Sequence, residues 1–411
     1  MQFHHTTLDN GLQVIAELSD QARSVASGFF VKAGSRDEAP EVAGVSHFLE
    51  HMVFKGTPRR DYLAVNRDFD KVGAKHNAQT SEEDTLYHVT CLPEYLPQSF
   101  DVLSDILRPS LREDDFETEK KVIVEEIRMY LDNPMSVAFD AAKAVHFGPH
   151  PLGRNVLGTV ESIEAMKVGD MRAYFARKYS PANIVLAFAG KTEWERVVDL
   201  ARKHCGGWEG EATVRHAAAP RGTGGFQAIL RAEDQQQTVI GVCDGPPLES
   251  DDRHAAQLLA AVLGDHTGSR LYWTLVDPGH ADGAELSYQD YNQAGALFTF
   301  LSCAPEETQA NLARIAEVYR DVLSDGVAED EIARAKNKVL SSSVLRSERP
   351  MGRLGSLGFH WAYRGEYLSL ADELEAFNRV TLADVRRVLE QWPLLPMSIV
   401  SVGPTTDLEP I

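Results

Sequence analysis

The stretch from Glu41 to Arg60, "EVAGVSHFLEHMVFKGTPRR", holds His47 and His51 four residues apart, with Glu50 beside the second. Helical periodicity begins near Val45 and is stopped by Gly56 and Pro58. On a helix, residues four apart lie about 40° apart around the axis, and residues three apart about 60° to the other side. His47, Glu50 and His51 therefore share one face. Two imidazoles on adjacent turns can both bind one zinc ion at about 2.0–2.1 Å. Glu50 then sits beside the position left open to water. Zinc lowers the pKa of such a water to about 7, and a neighbouring carboxylate can take its proton and pass it to a leaving amine. A histidine pair at this spacing is ordinary surface chemistry on its own, whereas HxxEH is far more specific.

A catalytic zinc needs a further protein ligand, and "ETEKKVIVEEIRMY" is the best source of one. Glu119 and Glu126 are seven residues apart, so they fall almost on one line, about 10 Å apart along a helix axis. They cannot both reach one ion. One should bind the metal and the other should orient a ligand or tune its charge. Glu125 points about 100° away, toward solvent. An exposed acidic face is the plain alternative, but Val122, Ile123 and Ile127 give this helix an apolar side that the two glutamates border.

Sliding the opening stretch along the chain decides the fold. "SHFLEHMVFKG" aligns with "HAAQLLAAVLG", which puts Leu258 on Glu50 and Leu259 on His51. Two further segments align in the same order. One places Lys120 on Lys336, with Glu119 on Ala335 and Glu126 on Ser342. The other places Asp170 on Asp384 and Gly190 on Gly403. This is the mark of an internal duplication. We expect an α+β fold of two homologous halves, each a mainly antiparallel β-sheet packed with α-helices. The small, Gly-rich segment at about 216–226 reads as the linker, with domains at 1–216 and 217–411. Only the first copy carries the ionisable residues, which makes them candidates for function.

Composition agrees and narrows the choices. With 411 residues, 43% hydrophobic and 25% charged, the chain reads as a soluble two-domain protein. No apolar run is long enough for a membrane span. A formal net charge of −20 argues against nucleic acid, which requires a basic footprint. It permits attraction of basic peptides, although solubility explains it as well. Cys91, Cys205, Cys243 and Cys303 form no CxxC and read as buried thiols of a reducing compartment. "MQFHHTTLDNGLQVIAEL" shows no leader, so a cytoplasmic location is expected, or a periplasmic one if a leader has been removed.

Taken together, "GVSHFLEHMVFKGTPRR", "NAQTSEEDTLYHVTC", "EKKVIVEEIRMYLDNP" and "HPLGRNVLGTVESIEAM" resemble the insulinase/pitrilysin family of zinc peptidases. The likeness is to its short branch, which includes the mitochondrial processing peptidase subunits. It spans the first half and, more loosely, the second. It implies zinc held by His47, His51 and Glu126, with Glu50 as general base and Glu119 as an accessory glutamate. It further implies that Asn77 and Ala78, on a strand edge beside the metal, hold a peptide substrate as an added strand.

One part of the family pattern is missing. Its active members carry an arginine and then a tyrosine in the second half, which hold substrate and help stabilise the oxyanion. In "LVDPGHADGAELSY", Val276 takes the arginine's place and Ala281 to Gly283 cover the tyrosine's. Arg270 belongs to the preceding turn, and Tyr288 or Tyr291 could substitute only if the loop rearranged. The resemblance therefore implies a heterodimer with a homologous partner subunit that supplies the pair; a homodimer is the other possible assembly. A non-catalytic scaffold subunit of a larger assembly is the alternative function. It fits poorly, because scaffold relatives have typically lost ligands or the base. A non-peptide hydrolase is disfavoured by the edge strand. Gly148 and Pro149 separate His146 from His150, which we read as a structural turn. His76 and His88 lie near the edge strand and could help shape the cleft, but they are not counted among the candidate site residues.

Overall fold

The run Ile184–Gly190, "IVLAFAG", is buried at every residue, as a central strand must be when both faces of its sheet are covered. It belongs to a six-stranded sheet made of β1 (Gln2–Thr7), β2 (Gln13–Leu18), β3 (Val25–Val31), β4 (Lys75–Thr80), β5 (Thr85–Cys91) and β6 (Ile184–Gly190). The order is β1-β2-β6-β3-β5-β4. All neighbours are antiparallel except β2 and β6. A second sheet holds β7 (Phe226–Leu230), β8 (Gln237–Asp244), β9 (Gly283–Tyr291), β10 (Ala294–Cys303) and β11 (Ser398–Gly403). Its order is β7-β11-β8-β10-β9, and only β7 and β11 run parallel. With β1 set aside, the two sheets have the same order and the same strand directions.

These relations come from a computed structural model that describes residues 1–211, 213, 215 and 219–411. The duplication extends to side chains. Lys120 Nζ donates to the carbonyls of Met166 (2.9 Å) and Glu164 (3.4 Å), and Lys336 Nζ to those of Val380 (2.7 Å) and Asn378 (2.8 Å). Asp170 accepts from the backbone N–H of Lys167, and Asp384 from that of Thr381, so each starts its helix in the same way. Gly190 and Gly403 both end their strands at positive φ.

The chain divides into two units, each assembled from three segments. The first comprises Met1–Ile127, Asn155–His216 and Val344–Ser369; the second comprises Arg128–Arg154, Ala217–Ser343 and Leu370–Ile411. The continuous domains expected at 1–216 and 217–411 therefore exchange a segment. The reason is burial. Helix Pro134–Phe147, started by Asn133 accepting from two backbone N–H groups, packs Ala138, Ala142 and Phe147 against β8 and β11. Its counterpart Pro350–Arg364 packs Leu354 and Leu357 against β3 and β6. Of the expected linker, residues 216–218 lie outside the described residues, and by Phe226 the chain is already in strand.

In the first unit the opposite sheet face carries the larger core. Helices Val45–Val53, Leu96–Ile106 and Glu113–Asp132 contribute Phe48, Leu49, Phe100, Phe116, Ile123 and Ile127 to it. Val122, expected on the apolar side of its helix, is 47% exposed; Val124 takes that role. All four cysteines are free and buried. Among the described residues no helix is long and apolar enough to cross a membrane.

Candidate metal centre

Helix Val45–Val53 begins at Gly44, whose φ of 89° is a conformation that L side chains rarely adopt. A Cβ at Gly44 would stand 2.4 Å from the carbonyl of Leu157. Buried Glu38 accepts from the backbone N–H groups of Gly44 (2.7 Å) and Ser46 (2.8 Å), satisfying donors at the helix start. Ser46 is tied to Tyr174 at 2.6 Å. The helix carrying the histidines is thus anchored at its first turn, while Phe48, Leu49 and Met52 bury its other side.

On the remaining face the structure brings His47, His51 and Glu126 together, one donor atom from each lying within 4.8 Å of the others. Glu126 Oε1 is 3.7 Å from His47 Nε2, and Glu126 Oε2 is 3.5 Å from His51 Nε2. Two ligands at about 2.05 Å from a tetrahedral ion stand about 3.3 Å apart, so these separations suit donors around a common cation. Two imidazoles and one carboxylate are also a donor set that zinc accepts. The residues present fit such an ion.

Glu119 lies elsewhere on its helix, as a seven-residue spacing demands. His51 Nδ1–H donates to Glu119 Oε1 at 3.0 Å, which leaves Nε2 of His51 turned toward Glu126. Lys55 Nζ meets the other Glu119 oxygen at 2.5 Å. Burial raises the pKa of Glu119, but the hydrogen bonds from His51 and Lys55 outweigh it and hold the carboxyl below its ordinary range. His51 is pulled down by burial, then carried above its usual value by Glu119, Glu126 and Glu50. His47 goes the other way. Burial, helped by the charge of His51, lowers it to about 4, so it stays neutral and able to ligate. Nδ1 of His47 is buried without a hydrogen-bond partner among the described residues.

Glu50 is half-buried on the same helix face. Burial raises its pKa, against a 2.6 Å hydrogen bond from Thr80 Oγ1 to its Oε2. Thr80 closes β4, which forms one edge of its sheet. Asn77 and Ala78 lie on that strand, Asn77 exposed and Ala78 packed against the core under the histidine helix. Thr80 and Lys55 are the members of the site that sequence reasoning missed. Their signal was positional: Lys55 follows His51 by one turn, and Thr80 follows Ala78 by two residues on the same side of the strand. Glu125 is exposed, as expected.

The second unit's candidates for substrate clamping are occupied. Arg270 makes two 2.8 Å bonds to Glu331 and one of 2.9 Å to the Gly326 carbonyl. The hydroxyl of Tyr288 donates to the Pro246 carbonyl (2.6 Å), and that of Tyr291 to Gln289 (2.7 Å). Val276 packs against the core and Ala281 is buried. His146, read as a turn residue, ends its helix and is buried between Ser398 and Asp244, at 3.1 Å from each.

Comparison with known proteins meets this geometry. A family model described as insulinase (peptidase family M16) matches residues 13–160, and one described as the peptidase M16 inactive domain matches residues 165–339. The chain is 33% identical over 391 residues to an uncharacterized zinc protease of Mycobacterium tuberculosis, covering 93% of this chain and 89% of that one. In fold it is similar to a protease from Helicobacter pylori, with a TM-score of 0.91 and 20% identity over 98% and 99% of the two chains. It is similar also to a chain of Complex III2 from Candida albicans, with a TM-score of 0.86 and 17% identity over 98% and 96%. The last two likenesses speak for architecture alone; the family models and the mycobacterial relative establish that this chain belongs to the insulinase family, peptidase family M16.

Proposed function

We propose that the chain is the zinc-bearing subunit of an endopeptidase that hydrolyses peptides or unfolded segments. Its cofactor is zinc. One observation carries the reading: His47, His51 and Glu126 converge within 4.8 Å, and Glu50 shares the face of the helix that bears the two histidines. Those three residues would hold the ion, which when bound supplies Lewis acidity to a carbonyl and to water. Glu50 is the general base. Burial raises its pKa above the ordinary carboxylate range, which makes it a stronger base for taking a proton from water and handing it to the leaving amine. Thr80 fixes its carboxylate from the edge strand. Glu119 fixes the ring of His51 through Nδ1, so that Nε2 is the nitrogen offered to the metal. Asn77 and Ala78 hold the peptide main chain as an added strand, which accepts most sequences.

The substrate-clamping arginine and tyrosine come from a homologous partner. Val276 and Ala281 cannot do this work, and a second copy of this chain would bring the same residues. A heterodimer supports full activity in this reading. The test is to purify the chain, measure zinc, and assay peptide cleavage alone and with the homologous protein that copurifies from the native source. Activity should rise at least tenfold with the partner. Full activity of the lone chain, unchanged by any partner, would overturn the heterodimer. Zinc-loaded protein that cleaves no peptide in either state would overturn the peptidase.

A further inference from the structure

The edge strand has two sides. β4 pairs Lys75 with Thr90 and Asn77 with His88. These four residues lie on the sheet face that Leu86 shares with Leu354 of helix Pro350–Arg364. Ala78 lies on the other face with its partner Tyr87, in the core that includes Phe48 and Leu49 of the histidine helix. A cavity of about 610 Å³ opens beside the start of β4. Arg23, Lys75 and Arg349 line it, with Glu348 as a single carboxylate. Among the described residues none of the three cations makes an ion pair. This local excess of positive charge stands out in a chain with 61 acidic and 41 basic residues. Ala22, Pro350 and Met351 supply apolar wall, suited to an aliphatic stem that ends in charge.

We propose that this cavity is a specificity subsite that takes an acidic side chain of the bound peptide. A peptide added along β4 sends alternate side chains to opposite faces, and pockets for those side chains are what give such binding its selectivity. One set meets the histidine helix and the other meets the cavity. With a rise of about 3.3 Å per residue, Asn77 and Lys75 stand about 10 and 17 Å along the strand from Thr80, whose hydroxyl holds Glu50. The acidic residue therefore lies about three to five positions from the bond that is cleaved. It falls on the C-terminal side of that bond if the peptide adds antiparallel to β4, and on the N-terminal side if it adds parallel. The net charge of the chain favours basic peptides at long range; the cavity reverses that preference at one position.

The subsite rests on the reading of β4 as the peptide-binding edge, and its test avoids turnover. The full chain carrying Glu50→Gln, loaded with zinc and bound to any copurifying partner, is titrated with two series of fluorescent extended peptides. The series differ only in a single Glu or Gln moved position by position. At one position, or at two positions of the same parity, Glu should bind about fivefold tighter than Gln, and the ratio should shrink as salt rises. Arg349→Glu and Lys75→Glu, each made in this background, should invert the ratio. Equal affinity at every position, no binding of either series, or a preference that survives in both charge-reversed variants overturns the subsite. Turnover of the unaltered enzyme is read separately. Loss of the peptidase reading with the Glu preference intact leaves a peptide-binding subsite, and cleavage without the preference removes the subsite alone.

Discussion

The two units place the same helix on the same kind of sheet and fill it differently. In the first, helix Val45–Val53 carries His47, Glu50 and His51; in the second, helix Arg253–Gly264 has Ala255, Leu258 and Leu259 at those positions, all buried. Ala335 stands where Glu119 does and Leu263 where Lys55 does, and both belong to the second unit's apolar core. The second unit therefore shows what the architecture asks of these positions, namely apolar contact. The first unit departs from that request by placing His47 and Glu119 in buried surroundings, where a charged or polar group is costly unless paired. The difference teaches that the ionisable set is not there to hold the fold.

Transplanting the second unit's residues is the hardest test of this contrast. A chain with His47→Ala, Glu50→Leu, His51→Leu, Lys55→Leu and Glu119→Ala, which takes out the buried set whole, should bind no zinc and lose all turnover. Compared with metal-free parent protein in denaturant unfolding, it should be equally stable or more stable by about 1–4 kcal/mol. A loss of stability would mean that the ionisable residues support the fold, and the contrast would fail. A gentler change separates chemistry from binding. Glu50→Gln should lower kcat by about 10²–10⁴-fold while elemental analysis still finds zinc; wild-type turnover would exclude Glu50 as the base. Glu119→Gln should weaken zinc binding about 10–100-fold in competition with a chelator, because His51 loses its ionised partner. An unchanged affinity would reduce Glu119 to a partner of Lys55 alone.

The smallest effect concerns the hairpins. The β4–β5 turn contains Asp84, which accepts a 2.8 Å hydrogen bond from Tyr363; the β9–β10 turn has neutral Asn292 and Gln293. Burial raises the Asp84 pKa to about 6 from an ordinary 3.8. Between these values the folded state binds more protons than the unfolded one. The stabilising contribution is therefore complete below about pH 3.8 and is lost as pH rises through 6. Asp84→Asn should gain about 1–3 kcal/mol at pH 7.5 and nothing at pH 3.5, seen as a shift of a few degrees in Tm at the higher pH only. Equal shifts at both values would show that the carboxylate is not penalised.

Much of this was legible in the sequence because it follows from local periodicity. The 100° step of the helix puts His47, Glu50 and His51 on one face, and the seven-residue spacing keeps Glu119 and Glu126 two turns apart. The geometry separates them in that way, with Glu126 facing both Nε2 atoms and Glu119 at Nδ1 of His51. The duplication was legible for the same reason: Lys120 and Lys336 make equivalent bonds at equivalent places. What escaped was set by long-range packing. Periodicity marks the apolar face of Pro134–Phe147 but does not say which sheet will cover it. Val122 differs from Val124 only in which way the helix is rolled against its neighbours. Lys55 and Thr80 belong to no motif, and they matter through partners 64 and 30 residues away.

The exchanged helices have a consequence for synthesis on the ribosome. Helix Pro350–Arg364 supplies the cover for the face of the first sheet that includes Phe30, Leu86 and Val185. A nascent chain that has just completed the first 216 residues still lacks that cover. At about 5–20 residues per second, roughly 7–30 s pass before residue 364 is translated. For that interval the half bearing the histidines exposes an oily surface that a chaperone or a neighbouring nascent chain can seize, and a message truncated at the linker would leave it exposed for good.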